Sequence, residues 1–214
     1  MTYRDPMSYS DFNLDSVSRV LGVTTRAADL FPGMQAIAAP PWLQELLARG
    51  TQGIQLSLIS EKSRSEFIVA PILLAGRELS GNRFAIYSGQ RLDVDPTIGL
   101  VGECDFILSA ADAVLPLQAP IAIVVEAKKN DVEGGLGQCI AQMVAADRFN
   151  QSAARIGVPI FGCVTTGEAW QFAKLAGTTA LLERRRFYID QVDKVLGAFL
   201  AIINECRGEL RDAG

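Results

Sequence analysis

Histidine is absent from this chain of 214 residues, and that absence excludes more chemistry than any other feature of the composition. Ser-His-Asp and Cys-His catalysis, zincin sites and histidine-dependent metal nucleases all require an imidazole. The four cysteines lie far apart and form no C-x-x-C pair, which argues against a zinc site or a disulfide framework. Any catalysis must therefore use carboxylates, Lys or Arg, amides, hydroxyls or a metal held by oxygen.

Long apolar runs are also missing. The longest, from Val195 to Ile203, is interrupted by Gly197 and falls well short of the ~20 residues that span a bilayer. The first residues contain no apolar segment of the kind found in a signal peptide. We therefore expect a cytoplasmic protein with no membrane partner.

Positive charge is in slight deficit, with 20 Lys and Arg against 24 Asp and Glu and a net charge of −4. This balance predicts no strong general attraction to phosphate, although a local basic patch remains compatible with it. The densest basic run is Arg184–Arg186. It is typical of a solvated turn, and it would also suit contact with a phosphate backbone or a dimer partner.

Hydrophobic residues make up 49% of the chain, enough for a sizeable core. Residues 1–57 are treated as an N-terminal extension, irregular up to Pro41 apart from a short helix near 13–21, and with a second short helix at 42–48. The rest, 58–214, predicts the order helix, three strands, helix, three strands, helix. We therefore expect an α/β fold with one mixed central β-sheet flanked by helices.

The element bounds follow from periodicity and from turn residues. The apolar run Ile121–Val125 is typical of a central strand that is buried on both faces. Pro71 would end the first helix, kink it, or begin a second helical segment. Gly134–Gly137 is interpreted as a flexible loop before the long helix, because it lacks a phosphate-loop motif. The predicted strands span 83–91, 103–109, 121–128, 160–165, 169–175 and 180–189, and the long helix spans 136–156.

Charged residues interrupt two of the apolar strands. Glu126 and Lys128 share one face of their strand, and burying them unpaired would be costly. If the preceding strand pairs with this one, Asp105 lies beside Glu126, and the two carboxylates repel each other. A divalent cation removes that conflict. The plain alternative is a strand-end ion pair with solvated head groups.

These residues predict a metal site. We expect Asp105, Glu126 and the main-chain carbonyl of Ala127 to hold Mg²⁺, with Mn²⁺ as a possible substitute. Lys128 would position or deprotonate the attacking water and offset charge in the transition state.

The first helix supplies a third acid. At 100° per residue, Glu66 lies on the side expected to pack on the sheet, whereas Glu61 points elsewhere. Glu66 is accordingly expected to bind a second metal ion or to orient a metal-bound water. The alternative for Glu66 is an ordinary surface pairing with the nearby Lys62 or Arg64.

The order of these residues resembles the PD-(D/E)XK nuclease superfamily. Asp105 is followed after 20 residues by Glu126-Ala127-Lys128, with the helical Glu66 before and a glutamine-bearing helix after. Within the superfamily, the chain is similar to the N-terminal nuclease domains of type I restriction subunits and related stand-alone proteins. It covers roughly residues 58–175, including a strand-turn-strand similar to 164–172, although Cys104 stands where the signature has proline.

The resemblance implies a restriction-endonuclease-like α-β-β-β-α-β core and Mg²⁺-dependent phosphodiester hydrolysis. It also implies a catalytic role for Gln138, the glutamine of the helix that follows; the alternative is that Gln138 and Gln142 form a plain polar helix face. The prediction is therefore a metal-dependent endonuclease with a nucleic-acid substrate, expected to be DNA, acting in restriction, repair or mobile-element biology.

Two other functions stay open. One is a catalytically inactive nuclease fold used as a binding or assembly module, which the acidic composition favours. The other is a nucleotide-binding or phosphate-ligand α/β protein, against which the missing phosphate loop argues. Residues 1–57 and the C-terminal helix are the candidate contacts for a homodimer or a partner subunit.

Overall fold

A computed structural model describes residues 7–53, 60–111 and 115–212 of the protein. The described strands are β1 (Thr24–Ala28), β2 (Ala85–Arg91), β3 (Glu103–Ser109), β4 (Ile121–Ala127), β5 (Ile160–Thr165), β6 (Ala169–Ala176), β7 (Thr179–Glu183) and β8 (Phe187–Tyr188). The described helices are α1 (Leu14–Leu21), α2 (Pro41–Gly53), α3 (Glu61–Arg64), a π-helical segment (Ser65–Val69), α4 (Ala70–Leu79), α5 (Val132–Ser152) and α6 (Val192–Asp212).

The strands form one mixed sheet. Seven of them follow the order β1-β7-β6-β5-β4-β3-β2, and the short β8 pairs with β6. β4 runs parallel to β5, and β1 runs parallel to β7, whereas the other neighbours are antiparallel. Every residue of β4 is buried, as its continuous apolar sequence predicts. The predicted α/β fold with a mixed central sheet is confirmed.

Helices cover both faces of the sheet. On one face, the core residues of α4 and α6 pack against side chains such as Phe106 and Val125. On the other face, α5 and α1 pack against side chains such as Ile107 and Val124. The predicted order of elements holds from residue 61 onward, with β8 as an additional short strand. None of the described helices is both long and apolar enough to cross a membrane.

The N-terminal segment belongs to the sheet. The helix predicted near 13–21 is confirmed as α1, but the strand β1 was not predicted, and the expectation of an irregular stretch there is wrong. β1 reads Thr-Thr-Arg-Ala-Ala and is mostly exposed, so it lacks the alternation of apolar residues by which strands are recognised. The predicted boundary at residue 57 lies outside the described residues.

Gly134–Gly137 is helical, so the prediction of a flexible loop is wrong. Asp131 caps α5, its side chain accepting a hydrogen bond from the backbone N–H of Gly134 at 3.0 Å. A Cβ atom on Gly135 would lie 2.6 Å from a methyl carbon of Val164, and one on Gly137 would lie 2.4 Å from Cα of Asn13. These glycines let α5 approach the sheet and the N-terminal segment closely.

The first helix of the predicted core is continuous from 61 to 79 but changes its winding. In the π-helical segment the N–H of Ala70 bonds to the carbonyl of Ser65, five residues back. Pro71, the second residue of α4, has no N–H, and its ring would collide with the carbonyl four residues earlier in a regular helix. The wider turn relieves that collision, so the helix passes through Pro71 without ending there, and α4 begins one residue before it.

Candidate active site

The candidate site lies where β3 and β4 stop pairing. Their last backbone pair at this end is Phe106 with Val125. Beyond it, a side chain replaces the backbone of β3 as the hydrogen-bond partner of β4: Oδ2 of Asp105 accepts the backbone N–H of Ala127 at 2.7 Å. The pairing of the two strands that carry Asp105 and Glu126, on which the predicted proximity depended, is therefore present, and it brings Asp105 to the residue that follows Glu126.

Glu126 is only 2% exposed, and both of its carboxylate oxygens are occupied. Oε1 accepts Nζ of Lys128 at 2.7 Å, and Oε2 accepts Nε2 of Gln142 at 2.8 Å. Nζ of Lys128 also donates to Oε1 of Gln138 at 3.0 Å. Since the acid is buried, the alternative of an ion pair with solvated head groups does not describe this pair.

The two glutamines stand one turn apart on α5 and face the same ion pair. Gln138 was among the predicted site residues, whereas Gln142 was considered only as part of a polar helix face. Gln142 is completely buried, and its Oε1 has no hydrogen-bond partner among the described residues. The four-residue spacing of the glutamines in an otherwise apolar helix was the sequence signal for the second contact.

The electrostatics of the site follow from burial and from the paired charges. Burial raises the pKa of Glu126 to about 7; the charge of Asp105 also raises it, while Lys128 and Gln142 act in the opposite direction. Burial likewise raises the pKa of Asp105, against the lowering effect of the Ala127 N–H and of Lys128.

Lys128 stays a cation. Burial lowers its pKa, but the charge of Glu126 and the hydrogen bond between the two groups outweigh that effect and leave the pKa above its usual value. A protonated ammonium cannot accept a proton from water. Of the roles predicted for Lys128, positioning of the water and charge compensation fit this arrangement better than deprotonation of the water.

A cavity of about 330 Å³ opens beside Asp105. Its lining joins the helix at 61–66 to β2, β3 and the end of β4: Glu61, Lys62, Ser65, Glu66, Ser88, Gly89, Glu103, Asp105 and Ala127. The predicted residues thus fall into two groups. Asp105, Ala127 and Glu66 border this cavity, whereas Glu126, Lys128 and Gln138 are hydrogen-bonded together on the side of α5. The groups are close enough for the charge of Asp105 to raise the pKa of Glu126.

The prediction that Glu66 lies on the buried face of its helix is wrong. Its side chain is 54% exposed and lies 3.9 Å from Nζ of Lys62. Glu61, expected to point elsewhere, lines the same cavity, and its charge raises the pKa of Asp105. The π-helical segment accounts for the change: it contains Glu66, and because it adds a residue to one turn, Glu61 before it is rotated by about 100° relative to a regular helix.

The residues at this edge offer a magnesium ion at most a few protein ligands. No three His, Cys, Asp or Glu side chains within the described ranges are grouped closely enough to hold a metal. Mg²⁺ is nevertheless commonly bound through one or two carboxylates, with water and phosphate oxygens completing the shell. Asp105 and Glu126 are such carboxylates, and their oxygens have lone pairs beyond the hydrogen bonds described.

Comparisons with protein-family models, with curated proteins and with solved structures gave no match to this chain. The resemblance to PD-(D/E)XK nucleases therefore rests on the residues and their arrangement alone.

Proposed function

We propose that the protein is a Mg²⁺-dependent endonuclease that hydrolyses phosphodiester bonds in DNA. One observation carries the proposal: the buried Glu126 and the partly buried Lys128 form an ion pair at the end of the central strand, one residue from the contact between Asp105 and Ala127. A buried ion pair adds little net stability after its desolvation cost. A second carboxylate nearby raises that cost, so stability alone is a poor reason to assemble these groups.

The chain's residues would divide the work. Asp105, Glu126 and the carbonyl of Ala127 would hold the ion, which when bound polarises the phosphate and lowers the pKa of a coordinated water. Lys128, kept protonated, would balance the charge that builds on the phosphoryl oxygens. Gln138 fixes the ammonium group in place through its bond to Nζ.

The helix acids have a secondary place in this proposal. Glu61 and Glu66 both line the cavity, where either carboxylate would orient a water or bind a second ion. Glu61 is the stronger candidate, because its charge acts on both Asp105 and Lys128. This reverses the order that the sequence indicated.

The alternative, an inactive nuclease fold that serves as a binding or assembly module, is favoured by the charge of the cavity. Its lining includes four carboxylates and a single lysine. Such a surface repels phosphates unless cations are bound there. The alternative and the enzyme therefore differ in one measurable respect, which is cleavage in the presence of a divalent metal.

The test is a cleavage assay on supercoiled plasmid, single-stranded DNA and RNA, with Mg²⁺, Mn²⁺ or EDTA. We expect cleavage of DNA with metal and none in EDTA. Lys128→Ala should lower the rate by about 100-fold or more, the usual effect of removing a group that stabilises developing charge. Lys129→Ala is the matched control, since this neighbouring lysine is exposed.

Equal activity of Lys128→Ala and Lys129→Ala would remove Lys128 from the mechanism. Failure of the folded wild-type protein to cleave any of the substrates with either metal would favour the binding or assembly module.

A further inference from the structure

The acidic cavity leaves open where the phosphate backbone of a substrate would bind. Four carboxylates and one lysine line it, so it offers no general attraction for a polyanion. Nucleic-acid affinity rests on Lys and Arg contacts to phosphates. If the proposed function holds, those contacts must come from another part of the same surface.

The edge of the sheet that carries the candidate site also carries a group of cationic side chains, three strands away. β4 and β5 end at this edge, and β6, antiparallel to β5, begins there. β7, antiparallel to β6, ends at the same edge with Glu183, and Arg184–Arg186 follow it directly. β7 is three strands from β4, or about 14 Å at the usual strand spacing.

At that position a second cavity, of about 320 Å³, is lined by three cations. Arg185 and Arg186 come from the turn after β7, and Lys194 comes from α6; all three are exposed. Its apolar wall includes Phe31, Met34 and Phe187. Both phenylalanines belong to the core layer that also contains the helix leading into the acidic cavity, so the two cavities adjoin the same face of the sheet.

Buried polar groups hold the two arginines from below. Glu183 is 3% exposed, and its Oε1 accepts the backbone N–H of Arg185 at 3.1 Å and its Nε at 3.4 Å. Gln171, 8% exposed, accepts Nε of Arg186 at 3.4 Å and donates to the carbonyl of Glu183 at 2.6 Å. A turn that is simply solvated does not require buried polar side chains beneath it. These hydrogen bonds therefore fix the positions of the two arginine side chains.

The arginines keep donors for a ligand even though they are paired. Arg185 uses Nε toward Glu183 and Nη2 toward Asp29, and Arg186 uses Nε toward Gln171 and Nη2 toward Glu133. The Nη1 groups take no part in these bonds, and a guanidinium has five N–H donors.

Lys194 adds a further positive charge, since its Nζ donates to the neutral amide of Gln191 at 3.0 Å. The Nη1 groups of the two arginines and the ammonium group of Lys194 therefore offer charged donors to one cavity, and charged donors make strong hydrogen bonds to phosphate oxygens.

We propose that the cavity between Arg185, Arg186 and Lys194 binds the phosphodiester backbone of a nucleic-acid strand that extends along this edge of the sheet to the acidic cavity. The inference rests on the proposed function for the identity of its ligand. The two cavities then have different roles. The acidic cavity holds cations and the phosphodiester bond that is cut, and the basic cavity binds the strand next to it.

The test is binding of a fluorescently labelled single-stranded DNA, measured by anisotropy in EDTA so that cleavage cannot interfere. Wild type is compared with the triple variant Arg185→Ala, Arg186→Ala, Lys194→Ala. The control is a second triple variant, Arg19→Ala, Arg83→Ala, Arg155→Ala, which removes the same number of charges from exposed residues away from this cavity.

We expect the cavity variant to bind at least about tenfold more weakly than wild type at 0.1 M salt, and the control variant to bind within about twofold. Log K falls with log salt by about 0.7 per phosphate contact on a single strand. Loss of three contacts should therefore make this negative slope shallower by about 2. The single variant Lys194→Ala distinguishes lost ligand binding from a folding defect. Lys194 bonds to Gln191 and not to Glu183 or Gln171, so this substitution leaves the buried support intact and should lower the affinity by a smaller amount.

Equal weakening in both triple variants, no weakening in either, or no binding by wild type would overturn the inference. Cleavage by wild type with metal is recorded separately. Site-specific loss of binding in a protein that cleaves nothing would keep the basic cavity and reject the nuclease.

Discussion

Among the candidate site residues, Glu126 has the largest shift in pKa. It is buried in an otherwise apolar strand, and burial together with the charge of Asp105 raises its pKa to about 7. Lys128 and Gln142 compensate only in part. Because the group favours its protonated form, it links the stability of the fold, the binding of a cation and the pH of the solution.

This linkage predicts how stability depends on pH in the metal-free protein. An unfolded glutamic acid loses its proton near pH 4.3, whereas the folded Glu126 keeps it until about pH 7. Between these values the native state binds more protons than the unfolded state, so the free energy of unfolding should fall as pH rises from about 4.5 to about 7. Thermal unfolding in EDTA across that range measures it, and Glu126→Gln should flatten the profile.

Glu66→Gln is the control for that experiment, because its carboxylate is more than half exposed; its profile should follow wild type. Added Mg²⁺ should raise the melting temperature more at pH 8 than at pH 6, since the ion competes with the proton for Glu126. A metal-free profile that is the same for wild type and Glu126→Gln would contradict the raised pKa.

Among single residues, Glu126, Lys128 and Gln138 are hydrogen-bonded together, whereas Asp105 borders the cavity beside them. Strand alternation predicts that Glu126 and Lys128 share a face, and pairing of the two strands brings Asp105 near them, whereas the role of Gln138 follows from the resemblance to the nucleases. The order of Glu61 and Glu66 was not predictable by the same means. A helical wheel assumes 100° per residue, and the π-helical turn before Pro71 breaks that assumption.

At the scale of elements, α5 depends on glycines where a regular helix would favour alanine. Gly135 packs against Val164 and Lys128, and Gly137 packs against the backbone of Phe12 and Asn13. The helix can then stand close enough to β4 for Gln138 and Gln142 to reach the ion pair. A glycine-rich stretch without a phosphate-loop motif predicts a flexible loop. Helix propensity also penalises glycine, and the contacts that require these glycines are tertiary, so the sequence alone does not indicate a helix.

Gly137→Ala should destabilise the protein although alanine is the better helix former by about 1 kcal/mol. The new Cβ would lie 2.4 Å from Cα of Asn13, and backbone cannot move aside as a flexible side chain can. Overpacking of this kind costs about 1–3 kcal/mol, which chemical denaturation would measure as a lower midpoint.

Gly208→Ala is the matched control within α6. A Cβ there would meet nothing within 4 Å, so the substitution should stabilise the protein by up to about 1 kcal/mol. Equal effects of the two substitutions would show that the contact with Asn13 carries no energetic weight.

At the scale of the whole molecule, residues 7–53 are part of the folded domain. β1 pairs with β7 along its whole length, and α1 packs in the same core layer as α5. The six large apolar side chains of this segment with exposures of 0–5% are Tyr9, Phe12, Val17, Val23, Phe31 and Leu43.

A fragment of residues 58–214 should therefore fail to fold cooperatively. Six buried side chains at about 1.5–3 kcal/mol each amount to on the order of 10 kcal/mol, which is comparable with the whole stability of a typical domain. Circular dichroism and thermal unfolding of the fragment against the full chain would measure the loss. If the fragment unfolds cooperatively within a few degrees of the full chain, the N-terminal segment is an extension that the domain does not need in order to fold.

The sequence by itself determined the α/β class, the order of elements from residue 61 onward and the identity of the polar residues on β3 and β4, because periodicity and composition are local properties. Only the tertiary structure decided that β1 joins the sheet, that α5 begins at Val132, that Glu61 faces the cavity, and that Gln142 holds Glu126. Each of these depends on which surfaces pack together, and packing between distant segments overrides local propensity when it buries more apolar surface than the local preference is worth.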